Sequence, residues 1–204
     1  IDLYKKIENI SEHFLSPKFL LRYAPGEMRK ENGNSKLNPS KAFSIDRLDN
    51  NNNFETGLSA TLGFDYEIRK QDQKIDLSVG QIINGEENKN MPSSMGLDEK
   101  ISDLVGFSKY EVNNKFSLNY NFAIDQNYND LNYNEITSEL DLNPVKFNVS
   151  YLQEKEHIGN KEYMKAKINL AKGINGMFSA ETKRNLVTDS AEYYNLSYEY
   201  LNDF

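Results

Sequence analysis

Cysteine and tryptophan are both missing from the 204 residues. Without cysteine the chain has no disulfide framework, no thiolate metal site and no thiol nucleophile. Long apolar runs are missing too. The longest are short pieces such as Phe19-Leu20-Leu21, so no transmembrane helix can form, since that needs about 18 or more consecutive apolar residues. Positive charge is in deficit: 24 Lys and Arg stand against 31 Asp and Glu, a net charge of -7. A nucleic-acid partner wants a basic stripe, so that class is set aside. There is no Gly-x-Ser-x-Gly elbow and no phosphate loop. The two histidines, His13 and His157, stand in no ligand or general-base spacing and read as solvated. No catalytic residue, no metal ligand and no cofactor site is therefore assigned. The acidic stretch Asn84-Gly-Glu-Glu-Asn-Lys-Asn90 lacks the fixed turn of a calcium loop and reads as a charged, mobile external loop. Asn148-Val-Ser150 and Asn195-Leu-Ser197 match the glycosylation pattern but fall inside expected strands.

What is present is aromatic and alternating. Thirteen tyrosines and eleven phenylalanines are more than a disordered chain carries. From Thr56 to Ile68, Leu58, Ala60, Leu62, Phe64, Tyr66 and Ile68 fall on one face, and Ser59, Thr61, Gly63, Asp65 and Glu67 on the other. Side chains of a strand point alternately to opposite faces, so this is one long strand with one apolar face. The pattern returns at Ile75-Leu77-Val79, Phe116 to Ile124, Val145 to Tyr151, Met164 to Leu170 and Tyr194 to Tyr200. Strands are expected near 17–24, 54–69, 74–84, 101–111, 115–125, 132–142, 145–154, 161–171, 176–184 and 190–201. A helical start over 3–14 is the weaker reading of the first segment. All five prolines fall at expected strand starts or in connections, as a residue that cannot donate to a ladder should.

The connections alternate in length. Long or medium segments at 25–53, 85–100, 126–131, 155–160 and 185–189 interleave with short ones at 70–73, 112–114, 143–144 and 172–175. Short turns at one end and longer loops at the other are the habit of outer-membrane barrels. Strand length agrees, because a tilted spanning strand needs about 9–11 residues, whereas soluble strands run about 5–6. The fold class expected is all-β: an antiparallel up-and-down meander of about ten strands, part of a transmembrane β-barrel. Tyr66, Tyr110, Tyr120, Tyr151 and Tyr163 are assigned to the interfacial levels where aromatic belts form. Ser59, Thr61, Asp65, Asp76, Ser117, Asn119, Asn121, Lys165 and Lys167 are the candidate lumen-facing residues. The lysines have two readings, meeting anionic lipid headgroups or balancing carboxylates such as Asp65, Glu67 and Asp76, and the second is preferred. Small inward residues, among them Ser59, Gly63, Ser78, Gly80 and Ser117, suit a wide lumen.

Several stretches resemble the C-terminal barrel of the lipopolysaccharide-assembly outer-membrane family, LptD. They are Leu15-Ser-Pro-Lys-Phe-Leu-Leu-Arg-Tyr-Ala-Pro-Gly26, Phe43-Ser-Ile-Asp-Arg-Leu48, Phe54-Glu-Thr-Gly-Leu-Ser-Ala-Thr-Leu-Gly-Phe-Asp-Tyr-Glu67, Leu77-Ser-Val-Gly-Gln81, Gly96-Leu-Asp-Glu-Lys-Ile-Ser-Asp-Leu-Val-Gly106 and Leu196-Ser-Tyr-Glu-Tyr-Leu-Asn-Asp203. The resemblance implies that residues 1–204 are a single segment of a larger outer-membrane barrel, with any targeting signal outside it. It implies lipopolysaccharide as cargo, insertion of that lipid into the outer leaflet, a lipoprotein plug resembling LptE, a periplasmic Lpt bridge and contact with outer-membrane lipid. The cysteines that staple the family's periplasmic domain to its barrel are absent here.

Two other classes stand beside this one. A self-contained small barrel would be porin-like, an adhesin or an enzyme; a soluble β-sandwich would be a binding module. The facing of nine residues separates barrel from sandwich. Leu58, Leu62, Phe64, Leu118, Phe122, Phe147, Val149, Leu196 and Tyr198 lie outside in a barrel, and form the core of a sandwich.

Overall fold

The computed structural model describes residues 3–7, 11–31, 36–48, 52–155, 158–172 and 176–200, with the backbone alone for 3–7 and 172. Eleven strands follow one another: β1 (Leu3–Ile7), β2 (Ser11–Ala24), β3 (Gly57–Lys70), β4 (Gln73–Asn84), β5 (Leu104–Val112), β6 (Phe116–Ile124), β7 (Leu131–Leu142), β8 (Val145–Glu154), β9 (Lys161–Lys172), β10 (Gly176–Asn185) and β11 (Ser190–Tyr200). They form a single sheet in sequence order, antiparallel throughout. This is an up-and-down meander, without the Greek-key crossing of a sandwich. β1 and β11 each pair with one neighbour, so the sheet is not closed. Helix among the described residues is one turn, α1 (Pro39–Ala42), and a 3-10 turn at Ser94–Gly96.

The first segment differs from expectation. Residues 3–7 and 11–24 are strands, paired Leu3 to Leu15 through Ile7 to Ser11. Pro17 sits inside β2 rather than at its start. It is level with Phe64 of β3 and lies two residues past the last described β1 pair.

Register fixes the two faces. Pairing of Leu62 with Phe19 and Gln81, of Phe64 with Pro17 and Val79, and of Phe147 with Leu140 and Ile168 strings the apolar positions into one surface. None of the nine diagnostic residues is buried. Leu58, Leu62, Phe147, Val149, Leu196 and Tyr198 are exposed, Leu196 to 71%, and Phe64, Leu118 and Phe122 are half-buried. The largest fully buried side chains among the described residues are instead Arg47, Ile82, Met95, Leu97, Val105, Thr61 and Ser102. An apolar outside around a partly polar inside is the arrangement of a sheet whose outer solvent is hydrocarbon. Tyr66, Tyr110, Tyr120 and Tyr151 lie on this outer surface. Tyr163 does not: it is level with Leu152 and Asn185, and Lys183 stands 4.3 Å over its ring. It is out of phase with Met164, Ala166 and Ile168, which face outward. His13 also differs from the solvated reading. It is half-buried on the outer face, with Nδ1 2.6 Å from the Tyr66 hydroxyl and Nε2 3.1 Å from Ser11 Oγ. His157 lies outside the described residues.

The small apolar core belongs to the other face. Ile82, Val105 and Ala123 meet Met28, Leu37, Ala42, Leu48, Met91, Met95, Leu97 and Ile158, all from connections at the loop end. The sheet curls around these loops, for Lys36 reaches Glu154 on β8. Facing predicts the cost of a charge. Val149 is fifth of ten in β8 and points outward; the neighbouring Asn148 points inward and donates to Glu139 Oε1 at 2.9 Å. Val149→Arg is expected to lose about 2–4 kcal/mol of barrel stability, the range for a mid-membrane arginine. Asn148→Arg, which gains Glu139 as a partner, should fold as the parent does. Heat-modifiable gel mobility of the two variants reads this directly.

Candidate functional site on the inner face

The inner face divides into a covered end and an open end. At the covered end, segment 36–48 crosses the sheet. Asn38 starts it by capping α1, its Oδ1 accepting from the Lys41 N–H at 2.8 Å. Thr61 Oγ1 donates to the Ala42 carbonyl at 2.9 Å. The Phe43 ring then comes up against Gly63 and Gly80, which are level with each other on β3 and β4. A Cβ on Gly80 would stand 3.2 Å from Phe43 Cε2, so glycine here makes room for a ring rather than for an open lumen.

Arg47 follows, with 0% of its surface exposed. Its Nη1 donates to Glu55 Oε1 at 2.8 Å and its Nη2 to Ser59 Oγ and Thr61 Oγ1, each at 3.2 Å. Arg22, from β2, donates Nε to the Ile45 carbonyl at 2.8 Å and Nη2 to the Glu55 carbonyl, while Nη1 stands 3.4 Å from Glu55 Oε1. One carboxylate thus sits between two guanidiniums. Burial pushes the Arg47 guanidinium below and the Glu55 carboxyl above their ordinary values, and their mutual attraction opposes both shifts.

The 85–103 connection packs beside this segment. Asn90 Nδ2 donates to the Met28 carbonyl at 3.1 Å, Glu31 N to the Asn90 carbonyl at 2.8 Å, and Asn88 N to the Asp98 carbonyl at 3.0 Å. Lys89 lies 2.9 Å from Glu99, and that hydrogen bond holds its ammonium above the usual lysine range. The acidic stretch expected to be mobile is therefore pinned at several points.

The open end is lined by paired charges and amides. Asp65 pairs with Lys18 and accepts from Ser78 Oγ at 2.5 Å. Lys74 lies 3.0 Å from Asp76 and 3.5 Å from Glu67. Asn121 donates to Glu135 at 3.2 Å. Lys165 and Lys167 stand 3.1 and 3.8 Å from Glu181. Near the short turns a cavity of about 990 Å³ opens between Arg69–Lys74, Glu111–Ser117 and Glu139–Asn148, with Lys70, Lys115 and Glu139 among its walls. Neither sign dominates, so this surface can solvate a sugar or a phosphate without trapping it.

Register brings Ser59, Thr61, Asp65, Asp76, Ser117, Asn119, Asn121, Lys165 and Lys167 onto this one face. Ser59 and Thr61 are buried under Arg47 and do not meet open water. The lysines balance Glu181 on β10, not Asp65, Glu67 or Asp76. Those three acids stand on β3 and β4, strands away, and have Lys18 and Lys74 beside them. Sequence reasoning missed Arg47, Glu55 and Phe43. The signal for them was two glycines on the polar face at paired positions, which mark a close approach.

The model of one protein family matches residues 2–186: LptD, described as LPS transport system D. The chain belongs to the LptD family. A search of the curated proteins gives no match. Membership makes this a chain of the lipopolysaccharide transport system and of an outer-membrane family, and its meander supplies the two-faced surface such a barrel wall needs. Within that wall the Arg47–Glu55 pair holds the covering segment. Removing one partner of a buried ion pair costs about 3–5 kcal/mol, while removing both together costs far less. Arg47→Ala is expected to expose segment 36–48 to protease in the folded protein, and Arg47→Met with Glu55→Gln to recover much of the protection. Equal cleavage of single and double variants would contradict the pairing.

Proposed function

We propose that this segment is wall and partial plug of an outer-membrane translocon barrel that inserts lipopolysaccharide into the outer leaflet. The observation that carries the reading is the opposition of the faces. Leu58, Leu62, Phe147, Val149 and Leu196 present apolar surface outward, while on the inner face Asp65 and Asp76 pair with Lys18 and Lys74, Glu135 and Glu139 accept from Asn121 and Asn148, and Glu181 pairs with Lys165 and Lys167. An amphipathic glycolipid divides along the same line: charged headgroup in the lumen, acyl chains in hydrocarbon. Loose binding suits transport, because a site that holds too tightly does not release. Lys18, Lys74, Lys165 and Lys167 each have a carboxylate competing for them. The partners that go with this role are lipopolysaccharide, a lipoprotein plug like LptE, the periplasmic Lpt bridge and the surrounding outer-membrane lipid. Residues 1–204 then act as one piece of that barrel in the bacterial outer membrane, and the role is transport, not catalysis.

Depletion of the parent protein tests this. It should reduce lipopolysaccharide labelled at the cell surface and raise permeability to large antibiotics. In the full-length parent, Lys165→Gln with Lys167→Gln, which adds no carboxylate beside Glu181, should leave folded barrel unchanged and slow surface delivery, because the unbalanced Glu181 then repels anionic headgroups. Depletion that leaves surface lipopolysaccharide at its normal level would refute the assignment.

A further inference from the structure

The two ends of segment 36–48 are held with unequal strength. Its C-terminal end is fastened by groups that cannot leave one another cheaply. Arg47 is fully buried on Glu55, Ser59 and Thr61, Arg22 clasps the Ile45 and Glu55 carbonyls, and Phe43 fills the glycine hollow of β3 and β4. Withdrawing this end would strand two guanidiniums and a carboxylate.

The N-terminal end hangs on much less. Lys36 pairs with Glu154 of β8 while half of its side chain is exposed, and its ammonium lies 5.1 Å over the Tyr133 ring. Leu37 N donates to the Met95 sulfur, a weak acceptor, and the Leu37 side chain tucks among the buried residues. Glu154 is itself poorly served. It is 4% exposed, and its Oε2 is buried without a hydrogen-bond partner. A buried carboxylate oxygen with no donor is costly. Lifting Lys36 away lets water reach Oε1, so hydration offsets part of the lost ion pair. Glu55 Oε2 at the other end is likewise buried without a hydrogen-bond partner, so the difference between the ends lies in the several bonds of Arg47 and Arg22 against the single ion pair of Lys36.

We propose that segment 36–48 is a hinged strap: Phe43, Arg47, Arg22 and Glu55 form its fixed hinge, and Lys36 on Glu154 is a releasable latch. Closed, the strap covers the loop end of the inner face. Open, it uncovers Leu37, Met95 and the polar inner ends of β7 and β8. The strap's movement stands on its own contacts; that its opening passes a headgroup rests on the translocon reading.

The experiment uses the full-length parent in its membrane, with Leu37→Cys as reporter and an impermeant maleimide as probe. Buried Leu37 should label slowly in the parent. Glu154→Gln, and separately Lys36→Met, should raise the rate about tenfold or more, the size of one lost charge-assisted contact, while exposed Asn38→Cys labels equally in every background. Heat-modifiable mobility should stay unchanged, which separates unlatching from misfolding. Unchanged Leu37 labelling in both variants overturns the latch. A second arm joins Lys36→Cys to Glu154→Cys through a short bis-methanethiosulfonate, a disulfide-linked bridge with the reach of the side chains it replaces, and follows surface lipopolysaccharide. Faster labelling in the first arm, with delivery blocked by the bridge and restored by reductant, supports both strap and passage. Faster labelling with delivery undisturbed by the bridge supports the strap and counts against the passage reading alone.

Discussion

Strand register is the constraint on which everything else in this molecule depends. A spanning sheet must satisfy its backbone hydrogen bonds internally, since hydrocarbon offers none. Once the ladders are set, a slip of one residue would exchange the two faces of a strand. From β2 to β11 the pairing keeps the outward positions of each strand level with outward positions of the next, and inward with inward. Its two irregularities fall at Ala123/Ile124 and Lys183/Arg184, both toward the loop end. There the outer positions are turning polar, as at Gln81, Asn134, Gln153 and Glu162, so a local shift costs the apolar band nothing.

The second constraint follows from the first. A polar inner face wide enough for water would leave the loop end open, and the long connections fold back onto it. They bring most of the small apolar core with them, and Arg47, Glu55, Arg22 and the hydroxyls of Ser59 and Thr61 add a buried polar attachment. Placing charges inside is expensive unless they are paired and hydrogen-bonded. That requirement explains the composition of β3: Ser59 and Thr61 supply acceptors, Gly63 supplies clearance, and only beyond them do Asp65 and Glu67 return to the paired-charge pattern of the open end.

Much of this was legible in the sequence because period two reports facing directly. Leu58 to Ile68 and Val145 to Tyr151 needed no tertiary information, and alternating loop lengths gave the up-and-down order. What period two cannot report is what lies against a face. Ser59, Thr61, Gly63 and Gly80 read as a wet, roomy wall, and the structure lays a loop across them. Partners of inward charges were equally out of reach, because Lys165 meets Glu181 through the neighbouring strand, not through any spacing within its own. Pro17 misled for a similar reason: a proline marks a missing donor, and only the neighbour's extent says whether that donor was needed. Tyr163 misled by chemistry, since tyrosine suits an interface, yet its odd phase in β9 sends it inward.

The central claim is that the apolar face meets lipid and the polar face meets water or the covering loops. Spin labels placed one at a time along 145–152 in the bilayer-embedded barrel test it most directly, by collision with lipid-dissolved oxygen and with a water-soluble nickel chelate. The account predicts a two-residue oscillation, with oxygen collisions highest at Val145, Phe147, Val149 and Tyr151 and lowest at Lys146, Asn148, Ser150 and Leu152. An oscillation of opposite phase, or none, would contradict it.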